Sequence, residues 1–176
     1  MPMHDPLARF ERIARQAHRY SEVERSPTAV AEHPFVARDI YDGFPPKVRK
    51  LFDDGHYPEA TFAAYKHLDQ TVQRISKLSK SGEALMMEAF KEDAPKIQLT
   101  PCGTMTEKDE QRGYRFLFAG AAVGIRNPRG YDAMADDLET CLSHLSFATM
   151  LLRRVDRAES ERKKAAAGTP AAAASS

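Results

Sequence analysis

The chain has 176 residues, of which 42% are apolar and 29% charged, a composition typical of a soluble globular protein with one ordinary domain. Its 26 basic and 25 acidic side chains give a net charge of +1, so only a local patch could recruit a nucleic acid or a membrane. Two cysteines, Cys102 and Cys141, are too few for a disulfide framework or a zinc site, and the longest apolar run, FLFAGAAVGI, is about half the length of a membrane-spanning helix.

The N-terminal segment, MPMHDPLARFERIARQ, carries charges where a signal peptide needs an apolar core. We therefore expect a cytoplasmic protein. The apolar residues of this segment recur at the spacing of one helical face, which predicts an amphipathic helix. They are Leu7, Phe10, Ile13 and Ala17. We assign residues 1–44 to an N-terminal helical extension.

Four further helices are predicted in the middle of the chain. Two short ones flank the pair Pro45-Pro46 within residues 34–54, because proline interrupts a helix interior. A long one follows in PEATFAAYKHLDQTVQRISKLS, where Pro58 suits the first helical turn and apolar side chains recur every three or four residues. A shorter helix, EALMMEAF, begins after Ser81-Gly82.

The next segment, APKIQLTP, is predicted to be an extended strap near residues 96–101. Ile97 and Leu99 alternate there with polar neighbours between two prolines, which is typical of extended backbone. The stretch Thr104-Met105-Thr106-Glu107 fits a capping box and predicts the start of another helix.

The end of that helix is predicted near Arg126. Asn127 precedes Pro128 and is therefore pushed away from helical angles. A last helix is predicted over about residues 136–157, and the low-complexity residues 159–176 are expected to be disordered.

Strand patterns are nearly absent, so the fold class is predicted to be all-α, a helical bundle. Its domain is expected to span residues 45–158, between the N-terminal extension and the tail. We find no internal repeat.

The turn GIRNPRGYD, residues 124–132, carries the strongest chemical signal, since the sequence contains no zinc-protease helix, phosphate loop or nucleophile elbow. In a structural interpretation, Arg126 caps the carbonyl end of its helix while Asn127 and Gly130 form the turn. In a functional interpretation, Arg126 and Arg129 converge on a phosphate, which forked guanidinium groups bind well. Nothing in the sequence calls for a metal or an organic cofactor.

Four stretches are similar to one known family. They read FDDGHYPEATFAAYKHLDQTV, SGEALMMEAF, EQRGYRFLFAGAAVGIRNPRG and LSFATMLLRRVD, within about residues 45–158. Together they resemble the bacterial Ymh-type family of the HEPN superfamily of helical-bundle proteins. The resemblance implies a metal-independent endoribonuclease that forms a homodimer and acts as a toxin or in phage defence, including abortive infection.

In this superfamily the signature is an arginine and a polar residue followed by a histidine four to six residues on, and two copies form one composite site. By this resemblance Arg126 is the signature arginine, Asn127 is its polar neighbour, and Tyr131 stands where the catalytic histidine is expected. The implied reaction is attack of the RNA 2′-hydroxyl on the adjacent phosphodiester, with histidine moving the proton and arginine stabilising the phosphorane charge. A phenol, whose ordinary pKa is about 10, is a poor general base at pH 7.

Three explanations of Tyr131 stay open. The protein binds RNA or a partner without cutting, it uses Tyr131 beside Arg126 and Arg129 as a slower catalyst, or the tyrosine is a disarming change in a toxic nuclease. His144, on the last predicted helix, could replace the missing base only if the fold directs it toward Arg126. The functional alternatives are a weakened ribonuclease, a non-catalytic RNA-binding or regulatory module, and an unrelated interaction domain whose GIRNPRG is only a turn.

Arg129, Arg115 and Arg112 are the candidate RNA-binding residues. Arg112 and Arg115 lie three apart on one predicted helix face, where a merely solvated surface is the alternative. A second basic patch is as well suited to solvating the last helix as to binding phosphate. It comprises Arg153, Arg154 and Arg157. The expected partners are RNA, a second copy of the chain, and an antitoxin or sensor protein, with no membrane.

Overall fold

The computed structural model describes residues 32–131 and 134–167, which form a helical bundle. Its elements are α1 Pro34–Ala37, α2 Pro46–Asp53, α3 Tyr57–Ser76, α4 Gly82–Ala89, α5 Met105–Gly120, a π-helical turn Ala121–Arg126, α6 Asn127–Tyr131 and α7 Leu138–Ala167. No strand occurs within these ranges, so the predicted all-α class is confirmed. None of the described helices has the length and apolar character needed to cross a membrane. The helix predicted around Leu7–Ala17 and the last part of the tail, residues 168–176, lie outside the described residues.

Helix α3 lies at the centre of the bundle and packs against α2, α4, α6, α7 and the π turn. Its predicted apolar face is confirmed, because Leu68 and Val72 are buried. Leu145 and Leu152 of α7 are also fully buried and complete the same core. The periodicity of each helix therefore decides which face turns inward.

The bundle begins before the predicted boundary at residue 44. Ile40 and Phe44 are buried in the core, and the Phe44 ring lies 6.1 Å from the ring of His67 on α3. The hydroxyl of Tyr41 donates a hydrogen bond to Asp156 of α7 at 2.6 Å. The residues from Pro34 onward thus belong to the bundle unit rather than to an N-terminal extension.

The expectation of disorder from residue 159 was wrong for residues 159–167, which continue α7 as helix. Alanine, lysine and glutamate dominate this stretch, and all three favour helix. Ion pairs one turn apart add to that preference, with Arg157–Glu161 at 2.9 Å and Glu159–Lys163 at 3.1 Å.

The predicted strap near residues 96–101 is non-helical, as expected, and its Ile97 and Leu99 are buried. Gln111 of α5, which is fully buried, holds the strap in place. Its Oε1 accepts a hydrogen bond from the Leu99 N–H at 2.8 Å, and its Nε2 donates to the carbonyls of Phe90 and Ile97 at 3.2 and 3.1 Å. One amide side chain therefore satisfies three backbone groups that water cannot reach.

Replacing Gln111 with methionine is expected to lower the free energy of unfolding by about 2–4 kcal/mol, because each buried backbone group left without a partner costs roughly 1–3 kcal/mol. Urea unfolding followed by circular dichroism measures the change. Gln98→Met is the control, since Gln98 hydrogen-bonds Pro101 in an exposed position. Equal losses in the two variants would show that Gln111 is not the anchor of the strap.

The helix that begins at the predicted capping box does not stop near Arg126, so that prediction was wrong. The chain widens into the π turn and continues as α6, with Asn127 at φ −61° and ψ −47°. The Asn127 N–H donates to the carbonyl of Ala122, five residues earlier. The wider turn makes room for Pro128, whose ring would clash with the carbonyl four residues back in a regular α-helix.

Candidate functional site at the π turn

Arg126 is the last residue of the π turn and lies against α3 and α4. Its guanidinium carbon is 5.9 Å from the centre of the Phe62 ring, within the range of a cation–π contact. A Cβ added to Gly82 would lie 3.5 Å from one of its terminal nitrogens. Its Nε is buried and has no hydrogen-bond partner, and no carboxylate in the described part of the chain forms an ion pair with it. The arginine thus carries a charge that the described bundle does not neutralise.

Gly130 allows α6 to approach α3 closely beside Arg126. A Cβ at Gly130 would lie 2.8 Å from an edge carbon of the Phe62 ring, closer than real contacts allow. Phe62 therefore lies against both Arg126 and Gly130. Asn127, the predicted polar neighbour of the signature arginine, is helical and partly buried at the first position of α6.

Arg129 does not reach the surface. Its Nε and Nη2 bind the two carboxylate oxygens of Asp136 at 2.5 and 2.6 Å, and its Nη1 donates to the Ile125 carbonyl at 2.9 Å. The side chains of the pair are only 5% and 3% exposed. The structure therefore corrects the prediction that Arg129 binds RNA or converges with Arg126 on a phosphate, because the buried ion pair occupies it.

Arg112 and Arg115 both pair with Glu92, at 3.4 and 2.8 Å. The Arg112 side chain is exposed and lies 6.0 Å from the Phe116 ring centre, whereas Arg115 is partly buried. Their role in RNA binding stays a prediction, and Arg112 is the more accessible of the two.

Tyr131 lies at the end of α6 with 86% of its surface exposed. It continues an exposed apolar stripe along α5 and the π turn, in which a Cβ at either Gly120 or Gly124 would meet open space. We call this stripe the glycine face. It comprises Gly113, Phe116, Leu117, Gly120, Val123, Gly124 and Tyr131. Exposed apolar patches mark interaction surfaces, and glycines let a second helix approach closely.

His144, the substitute base considered for Arg126, lies near the Arg129–Asp136 pair. Both charges of the pair affect its pKa, and its Nδ1 is buried without a hydrogen-bond partner. Burial first, and then the Arg129 charge, lower the pKa of His144, while Asp136 opposes them. The residue is therefore mostly neutral at pH 7. Within residues 32–131 and 134–167, no group of three histidine, cysteine or acidic side chains is arranged to hold a metal ion.

Comparison with protein families matches residues 44–155 to a family described as "Protein of unknown function (Hypoth_ymh)". No curated protein and no solved structure matches the chain. The matched region contains α2 to α6 and most of α7, and with them Arg126, Asn127 and Tyr131. Since the match covers more than half of the residues, the chain belongs to the Hypoth_ymh family of proteins of unknown function.

Proposed function

We propose that this protein is a HEPN-type, metal-independent endoribonuclease of a bacterial defence or toxin system, that it works as a homodimer, and that its cleavage is weakened by Tyr131. The observation that carries the proposal is Arg126, a cation at the π turn with no acidic partner in the described bundle. A phosphodiester is the natural complement of such a group, because the guanidinium fork matches two phosphate oxygens.

The surroundings of Arg126 support binding of an anion. The Phe62 ring on one side excludes water from part of the guanidinium, and a lower local dielectric strengthens its attraction to a phosphate. The π turn supports the proposal as well, since such turns are rare and are frequent at functional sites.

The glycine face supports the dimer. A two-fold interface buries the same patch on both subunits, and this face ends at Tyr131, five residues after Arg126 in the chain. Pairing through Gly120 and Gly124 would bring two helix backbones close together. We infer that two copies of Arg126 and Tyr131 form one composite site.

In the proposed reaction the RNA 2′-oxygen attacks phosphorus, the bond to the 5′-oxygen breaks, and the products are a 2′,3′-cyclic phosphate and a 5′-hydroxyl. Arg126 stabilises the extra negative charge on the phosphorane. The step that lacks its usual catalyst is proton removal from the 2′-hydroxyl, because a phenol stands at position 131, where the histidine is expected. We therefore expect the protein to bind RNA but to cut it slowly. A protein that only binds RNA is the second candidate function.

Arg126→Ala is expected to weaken binding of a labelled single-stranded RNA by about ten- to a hundredfold, because it removes the hydrogen bonds that one charged group donates to the RNA. Fluorescence polarisation in excess EDTA measures the affinity. Arg49→Ala is the matched control, because it removes an exposed arginine on α2. Unchanged affinity in the Arg126 variant, with tight binding by the unaltered protein, would refute the proposed site.

A further inference from the structure

A groove of about 430 Å³ beside α7 carries four arginines. Arg153, Arg154 and Arg157 come from α7, and Arg38 comes from the residues after α1. Tyr114 of α5 lies in the lining, and Asp39 is the only carboxylate there. The lining is thus strongly cationic in a chain whose net charge is only +1.

Each of these arginines has a partner, but the partners are exposed. Arg153 binds Asp39 at 2.7 Å, whereas Arg38, Arg154 and Arg157 pair with carboxylates outside the lining. Those carboxylates are Glu139, Glu110 and Glu161. Exposed ion pairs are weak because water and salt screen them, so a phosphate can take their place.

Arg154 has the least exposed side chain of the four. Its side chain is 16% exposed, and its guanidinium carbon lies 5.2 Å from the centre of the Tyr114 ring. Its Nε is buried with no hydrogen-bond partner among the described residues. A guanidinium that is already oriented loses little freedom when it binds an anion.

The spacing of the arginines favours a chain of phosphates over a single one. Their guanidinium groups reach four carboxylates, two on α7, one on α5 and one after α1, so they spread along the groove rather than converge. Tyr114 lies twelve residues before Arg126 on one continuous helical path, roughly 18 Å of rise. A strand of several nucleotides is long enough to span this distance.

We propose that this arginine groove binds the phosphate backbone of the single-stranded RNA segment that leads away from Arg126. The inference rests on the proposed function and deepens it, because it assigns a second region of contact with the substrate. Each phosphate contact on a single strand contributes about 0.7 to the slope of log affinity against log salt concentration.

The test compares Arg153→Gln/Arg157→Gln with Lys47→Gln/Lys50→Gln, which makes the same charge change on α2. All four residues are exposed, so both variants should fold, and thermal melting by circular dichroism checks this. The affinity for a 12-nucleotide single-stranded RNA probe is measured in EDTA over a range of NaCl concentrations. The magnitude of the slope of log affinity against log salt concentration should fall by about 1.4 in the arginine variant only.

Equal slopes in the arginine variant and the unaltered protein, with binding still lost in Arg126→Ala, would overturn the arginine groove and leave the proposed function standing. A reduced slope with normal binding by Arg126→Ala would refute the site at Arg126 while supporting the groove. Equal reductions in the arginine and lysine variants would overturn the groove, since bulk charge would explain both. Competition by polyglutamate as effective as that by RNA would overturn the assignment to RNA.

Discussion

Replacing Tyr131 with histidine is expected to raise the rate of RNA cleavage in EDTA by at least about a hundredfold, the lower end of what a positioned general base contributes. Histidine titrates near neutral pH and can accept the 2′-hydroxyl proton that a phenol leaves in place. Because Tyr131 is 86% exposed, the substitution removes no core contact. The measurement is the rate of strand cleavage and the yield of 2′,3′-cyclic phosphate ends.

Two companion variants make this result specific. Arg126→Ala/Tyr131→His should lose the gained activity, because the phosphorane charge is then unsupported. Tyr131→Phe separates the explanations of the tyrosine: if the unaltered protein cuts and this variant does not, the phenol itself takes part in catalysis. If the histidine variant binds RNA through Arg126 but does not cut, the ribonuclease proposal fails and the RNA-binding module is favoured.

Asp136→Ala is expected to lower the free energy of unfolding by about 3–5 kcal/mol, because it leaves the Arg129 charge buried and uncompensated. The pair is 5% and 3% exposed, so water cannot replace the missing carboxylate. Arg129 also holds the Ile125 carbonyl, one residue before Arg126, and loss of the pair should therefore weaken RNA binding too. Urea unfolding and RNA affinity are the two measurements.

The neighbouring Asp137 offers a matched control. It is exposed and accepts a hydrogen bond from the Thr140 N–H at 2.7 Å at the start of α7, so Asp137→Ala should lower the stability much less than Asp136→Ala does. Replacing both partners, as Arg129→Met/Asp136→Leu, should recover most of the lost stability, since no charge is then left buried. A loss below about 1 kcal/mol in Asp136→Ala alone would show that the pair is not a structural anchor of the turn.

Features with a local cause were predictable from the sequence. The capping box at Thr104 and Glu107 forms as expected, because both of its hydrogen bonds lie within one helical turn. The buried face of α3 and the strap containing Ile97 and Leu99 follow from apolar spacing alone. Where two local tendencies compete, the sequence is ambiguous. Low complexity indicated disorder after residue 158, yet helix propensity prevails through Ala167.

The sequence by itself determined the helical class and most helix positions, since these depend on periodicity and caps. It also singled out Arg126 as a candidate site residue through a short motif. Only the tertiary structure decided which arginines remain available. Arg126 and Arg129 look alike in the sequence, but one lies on Phe62 and the other is buried against Asp136. No spacing rule identifies those partners, because they come from another helix and from the segment after α6. The charge of an arginine is a property of the residue, whereas its neutralisation depends on which elements the fold packs around it.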